Sequence, residues 1–73
     1  MVKEYSNYGN LTKEQIDKIE DKIKEKRYLA KVYSRVNENS NKENPHYDII
    51  IEMWSNGFTS IFIDEMIARI LKQ

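Results

Sequence analysis

Residues 27–36 read Arg-Tyr-Leu-Ala-Lys-Val-Tyr-Ser-Arg-Val, and residues 46–54 read His-Tyr-Asp-Ile-Ile-Ile-Glu-Met-Trp. Both runs alternate with a period of two, the signature of a pleated β-strand. In the first, Tyr28, Ala30, Val32, Ser34 and Val36 share one face, while Arg27, Leu29, Lys31, Tyr33 and Arg35 share the other. In the second, Tyr47, Ile49, Ile51 and Met53 oppose Asp48, Ile50, Glu52 and Trp54. Charge complementarity sets Arg35 opposite Asp48 and Lys31 opposite Glu52. The same register sets Tyr33 opposite Ile50 and Leu29 opposite Trp54. On the other face it pairs Val36 with Tyr47, Ser34 with Ile49, Val32 with Ile51 and Ala30 with Met53. One register satisfies both faces, which predicts an antiparallel pair of strands over 27–37 and 46–54. The loop between them, 38–45, has no apolar member and is expected to be mobile.

Downstream, Asn56-Gly57 is a type I′ hairpin signal. It predicts a third strand over 58–62, with Trp54 opposite Thr59, Glu52 opposite Ile61 and Ile51 beside Phe62. Ile63, Met66, Ile67, Ile70 and Leu71 recur at helical spacing and predict a helix over 63–72. Asp64 and Glu65 suit its first turn, and Arg69 and Lys72 its end. A competing parse starts this helix near Thr59 and leaves two strands.

Upstream, Thr12 and Gln15 form a capping box, flanked by Leu11 and Ile16 as a hydrophobic staple. Ile16, Ile19 and Ile23 form a narrow apolar stripe, which predicts an amphipathic helix over 12–26. Glu14–Lys18 and Glu20–Lys24 have the favourable i,i+4 orientation. Residues 1–10 are polar and read as a flexible arm whose Tyr5 and Tyr8 dock on the domain. The expected fold is α+β: a single domain over 11–73, ordered α-β-β-β-α, with a three-stranded antiparallel sheet and the helices packed on it.

Composition narrows the function. The chain has 73 residues, with twelve Lys+Arg against twelve Asp+Glu, one His and no Cys. A disulfide framework and a thiolate metal site are excluded. The charge balance argues against binding nucleic acid through bulk charge. A domain of this size is marginal alone, so good packing or a partner must add burial. Apolar runs such as Ile49-Ile50-Ile51 and Ile61-Phe62-Ile63 are far too short to span a bilayer, and no apolar stretch follows Met1. A cytoplasmic location with no membrane partner is expected.

Catalytic chemistry finds little footing. The serines lack a nucleophile-elbow context, and the single His46, with Asp48 two residues on, reads as an ordinary surface histidine. Asp64 and Glu65 are neighbours on a helix and point apart. Two glycines cannot make a phosphate loop. No catalytic residue, metal ligand or cofactor is assigned.

What remains is a surface. Leu29, Tyr33, Ile50, Trp54 and Ile61 are expected to cluster on the sheet face away from the helices, an apolar and aromatic patch of the kind that marks protein interfaces. The leading expectation is a non-enzymatic module that binds another protein, with homodimerisation as one form. The alternative is a single-stranded nucleic-acid binder using Arg27, Lys31, Tyr33 and Arg35, basic groups around an aromatic ring. Lys, Asn and Ile supply 26 of the 73 residues, a bias of AT-rich coding DNA as in low-GC bacteria and their phages. No family motif is present. The helix, three strands, helix plan resembles small phage-encoded inhibitors, including some anti-CRISPR proteins. That resemblance implies an inhibitor acting by protein–protein contact.

Overall fold

The structure, a computed structural model, describes residues 2–55 and 58–72. Its elements are β1 (Val2–Leu11), α1 (Lys13–Glu25), β2 (Ala30–Val36), β3 (Tyr47–Ser55) and α2 (Thr59–Leu71). The order is therefore β-α-β-β-α, and the sheet is antiparallel with strand order β1-β3-β2.

The β2–β3 register is the expected one at every pair from Ala30–Met53 to Val36–Tyr47. Leu29 lies just before β2, where its carbonyl accepts from the Trp54 N–H at 3.1 Å. Alternation explains the result. A slip of one residue would turn Ile49, Ile51 and Met53 to solvent, and these three are 1% exposed or less.

Two expectations fail together. The expected arm over 1–10 is replaced, from Val2 onward, by an edge strand, Val2–Leu11, paired with β3 from Val2–Ser55 to Tyr8–Ile49. Residues 58–62 are not a strand, because α2 begins at Thr59, as the competing parse had it. The long N-terminal strand occupies the edge of β3 that a 58–62 hairpin would need. The pairings of Trp54 with Thr59, Glu52 with Ile61 and Ile51 with Phe62 are replaced by Trp54 with Lys3, Glu52 with Tyr5 and Ile51 with Ser6. The Asn56-Gly57 turn lies outside the described residues.

Helix α1 starts as its sequence dictates. The Gln15 N–H donates to Thr12 Oγ1 at 3.1 Å, and the Thr12 N–H donates to Gln15 Oε1 at 2.9 Å. Its end is a Schellman arrangement: Tyr28 N–H donates to the Ile23 carbonyl and Arg27 N–H to that of Lys24, both at 3.1 Å. This turn puts Arg27 at φ 56°, a left-handed position that glycine usually fills. Arg27 is thus in the turn before β2 and not on the strand.

The core is one layer between sheet and helices. Leu11, Ile16, Ile19 and Ile23 meet Ile49, Ile51, Met53 and the α2 residues Ile63, Met66, Ile67 and Ile70. Both sides of the expected staple, Leu11 and Ile16, are buried. The 37–46 connection, which contains the expected loop 38–45, carries its own hydrogen bonds. Asn39 N–H donates to Asn37 Oδ1 at 2.8 Å and Glu43 N–H to Asn41 Oδ1 at 3.0 Å, two successive Asx turns. Among the described residues no helix is long and apolar enough to cross a membrane.

Candidate functional site: the helix-free face of the sheet

Both helices pack on the face that carries Ile49, Ile51 and Met53. The opposite face is built in rows across the three strands. Lys3, Trp54 and Leu29 form the first row, and Tyr5, Glu52 and Lys31 the second. Asn7, Ile50 and Tyr33 form the third. Asp48 and Arg35 close the end of the face beside Gly9.

Four of the five expected contact residues are here. Leu29, Tyr33 and Ile50 are about half exposed or more, and Trp54 is half-buried. The Lys3 ammonium sits 5.3 Å from the Trp54 ring centroid, a cation–π distance, and 3.8 Å from Glu52 Oε1. Ile61 does not belong to the patch. It lies on α2, over the other face, because 58–62 is not a strand. Tyr5, 57% exposed, takes a place on the patch instead. Sequence reasoning missed it by treating 1–10 as an arm. No period-two contrast marks it, because Lys3, Tyr5 and Asn7 alternate with the equally polar Glu4, Ser6 and Tyr8.

Of the alternative basic set, Lys31, Tyr33 and Arg35 share the face, and Arg27 is in the preceding turn. Acidic groups interleave with the cations. Lys31 stands opposite Glu52, and Arg35 Nε is 3.9 Å from Asp48 Oδ2.

Asp48 organises this end of the face. Its Oδ1 accepts from Asn37 Nδ2 at 2.9 Å and from the Asn10 N–H at 3.2 Å. The carboxyl is held below its usual range, first by the Asn37 bond, then by the Asn10 N–H, with Arg35 adding attraction. Gly9 makes the approach feasible, since a Cβ there would lie 3.1 Å from Asp48 Oδ1. An open depression of about 590 Å³ results, with Asn7, Gly9, Tyr33, Arg35, Asp48 and Ile50 on its walls.

The covered face also holds a polar cluster. Ser6 Oγ and Tyr8 Oη both donate to Asp64 Oδ1 of α2, at 3.0 and 2.7 Å. Burial pushes the Tyr8 phenol above its ordinary range, and the bond to the Asp64 carboxylate adds to the rise. Asp64, expected as a first-turn dipole residue, therefore serves as a strap from α2 to β1. His46 precedes β3, where its carbonyl accepts from the Asn37 N–H at 2.8 Å. Among the described residues no group of three or more His, Asp or Glu side chains could hold a metal ion.

No protein-family model, no curated protein and no solved structure matches the chain. What this face can do follows from its own residues.

Proposed function

We propose that the chain is a non-enzymatic binding module that engages another protein through the helix-free face of its sheet. One observation carries the reading: Tyr5, Leu29, Tyr33 and Ile50 stay about half exposed or more on a face that neither helix covers. Tyrosine and tryptophan supply contact area at low entropic cost and dominate interface hot spots. The charges around them select a partner and its register more than they add affinity. The polar groups of the face hold strands together: Asp48 spans β1, β2 and the 37–46 connection, and Lys3 spans β1 and β3. Inhibition by occluding a partner's surface is the mode such a face suits. The phage-inhibitor resemblance rested on a helix-first plan that the chain does not have, so the weight falls on the face.

The test is affinity capture with the wild-type chain and with a Tyr33→Ala, Trp54→Ala variant of native circular dichroism. Partners held by the wild type and lost by the variant support the proposal. A folded variant that keeps every partner sinks it. The rival is a single-stranded nucleic acid on Lys31, Tyr33 and Arg35. It predicts salt-dependent quenching of Trp54 fluorescence by short oligonucleotides, and the proposed reading predicts none.

A further inference from the structure

The sheet has two edges, and they are defended differently. β2 is short, seven residues, and carries Lys31 and Arg35. An antiparallel pairing of β2 with itself about Tyr33 would set Lys31 against Arg35. Charged, short edges of this kind are how proteins block strand addition. β1 is ten residues long, and from Tyr5 to Leu11 it has neither a charge nor a proline. Its ladder with β3 runs without interruption from Val2 to Tyr8 before the irregularity that precedes Leu11. Over Tyr5–Tyr8 the edge is therefore both uninterrupted and uncharged, with Lys3 and Glu4 before it.

We propose that β1 pairs antiparallel with β1 of a second copy of this chain, about a twofold axis at Tyr5, extending the two sheets into one of six strands. Such an interface is isologous, so each pair occurs twice and must suit itself. Centred on Tyr5, Val2 meets Tyr8, Lys3 meets Asn7, Glu4 meets Ser6 and Tyr5 meets Tyr5. No like charges are opposed, and an aromatic cross-strand pair sits on the axis. Slipping by one pair toward the N-terminus sets Glu4 against Glu4, and slipping once more sets Lys3 against Lys3. The two charges at the start of β1 therefore exclude the slips toward the N-terminus, and the Tyr5 pair distinguishes this register from the one centred on Ser6.

The helix above β1 fits the same partner. Asp64 of α2 is tied to Ser6 and Tyr8, which fixes the β1 side of that helix. Ile61 and Ala68 are three residues before and four after Asp64, on the same side, and both are exposed. A second copy joined at β1 brings this stripe toward its own equivalent. Ile61, which has no place on the sheet, then gains a role in the interface. The inference concerns the edge and α2 and does not rest on the open-face reading.

Sedimentation of the wild-type chain from about 1 μM to about 1 mM, with hydrogen exchange across the same range, tests it. Two chains per particle are expected, with the amides of Val2–Tyr8 that face away from β3 slowing as the dimer forms and amides of β2 unchanged. Tyr5→Lys places two ammonium groups face to face on the axis and leaves each monomer a lysine opposite Glu52. It is expected to weaken the dimer by about tenfold or more with unchanged circular dichroism. A wild-type chain that stays monomeric overturns the proposal. So does a dimer in which those outward-facing β1 amides exchange as in the monomer, whatever Tyr5→Lys does.

Discussion

Ile50 and Ile51 are identical side chains, adjacent in β3, with opposite fates: Ile50 is 47% exposed and Ile51 is 0%. The pleat sends them to opposite faces, and only one face has helices over it. Burial of an isoleucine contributes roughly 1.5–3 kcal/mol, so Ile51 is a structural residue and Ile50 contributes much less to folding. The comparison extends along the strand. Ile49, Ile51 and Met53 form the centre of the core, whereas Ile50 and Trp54 sit among Tyr5, Tyr33 and Leu29 with charge around them. An antiparallel sheet with one wet face usually makes that face polar. Here Tyr5, Leu29, Tyr33, Ile50 and Trp54 are set among the charged groups, an arrangement that folding alone does not require.

The sharpest way to break this contrast is to truncate the two isoleucines separately. Ile51→Ala is expected to cost about 2–5 kcal/mol, enough to unfold much of a domain this small, while Ile50→Ala costs about 1 kcal/mol or less. Urea unfolding followed by circular dichroism reads both. Equal losses would mean that the two faces do the same structural work.

A smaller effect is expected where the covered face turns polar. Tyr8 keeps its proton in the folded chain to a higher pH than in the unfolded one, which sets the sign. The stability it contributes is complete below about pH 10 and is lost as pH rises above that value. Tyr8→Phe removes one hydrogen bond, about 1 kcal/mol, and should flatten the alkaline fall in stability. An unchanged alkaline limb would detach Tyr8 from the Asp64 strap. The smallest expected effect belongs to the open face. Asp48 is held low, so its contribution is complete above about pH 4 and is lost as pH falls below it. Asp48→Asn should shallow the acid limb of the stability profile. A steeper acid limb would contradict the assignment.

The parts of the fold legible in the sequence are those where pattern and capping agree. Thr12 with Gln15 marked the start of α1, and complementary charges gave the β2–β3 register because Lys31 and Arg35 face Glu52 and Asp48. β1 was not legible, for a physical reason. Its covered side meets the polar Asp64 of α2, so Ser6 and Tyr8 stand where an apolar alternation would otherwise announce a strand. Missing β1 left an edge of β3 empty, and the Asn56-Gly57 signal then drew residues 58–62 into it. Most of the open face survives that error because its centre is β2–β3. Ile61 leaves it and Tyr5 enters, both through the same misplaced strand.

The central claim is that the uncovered face exists to be covered by another protein. It is tested most directly by the dissociation constant for the partner that the wild-type chain captures, measured for the wild type and for the Tyr33→Ala, Trp54→Ala variant. A loss of affinity of about 30-fold or more, with the variant's cooperative unfolding retained, is the predicted result. An unchanged dissociation constant in a folded variant would contradict it.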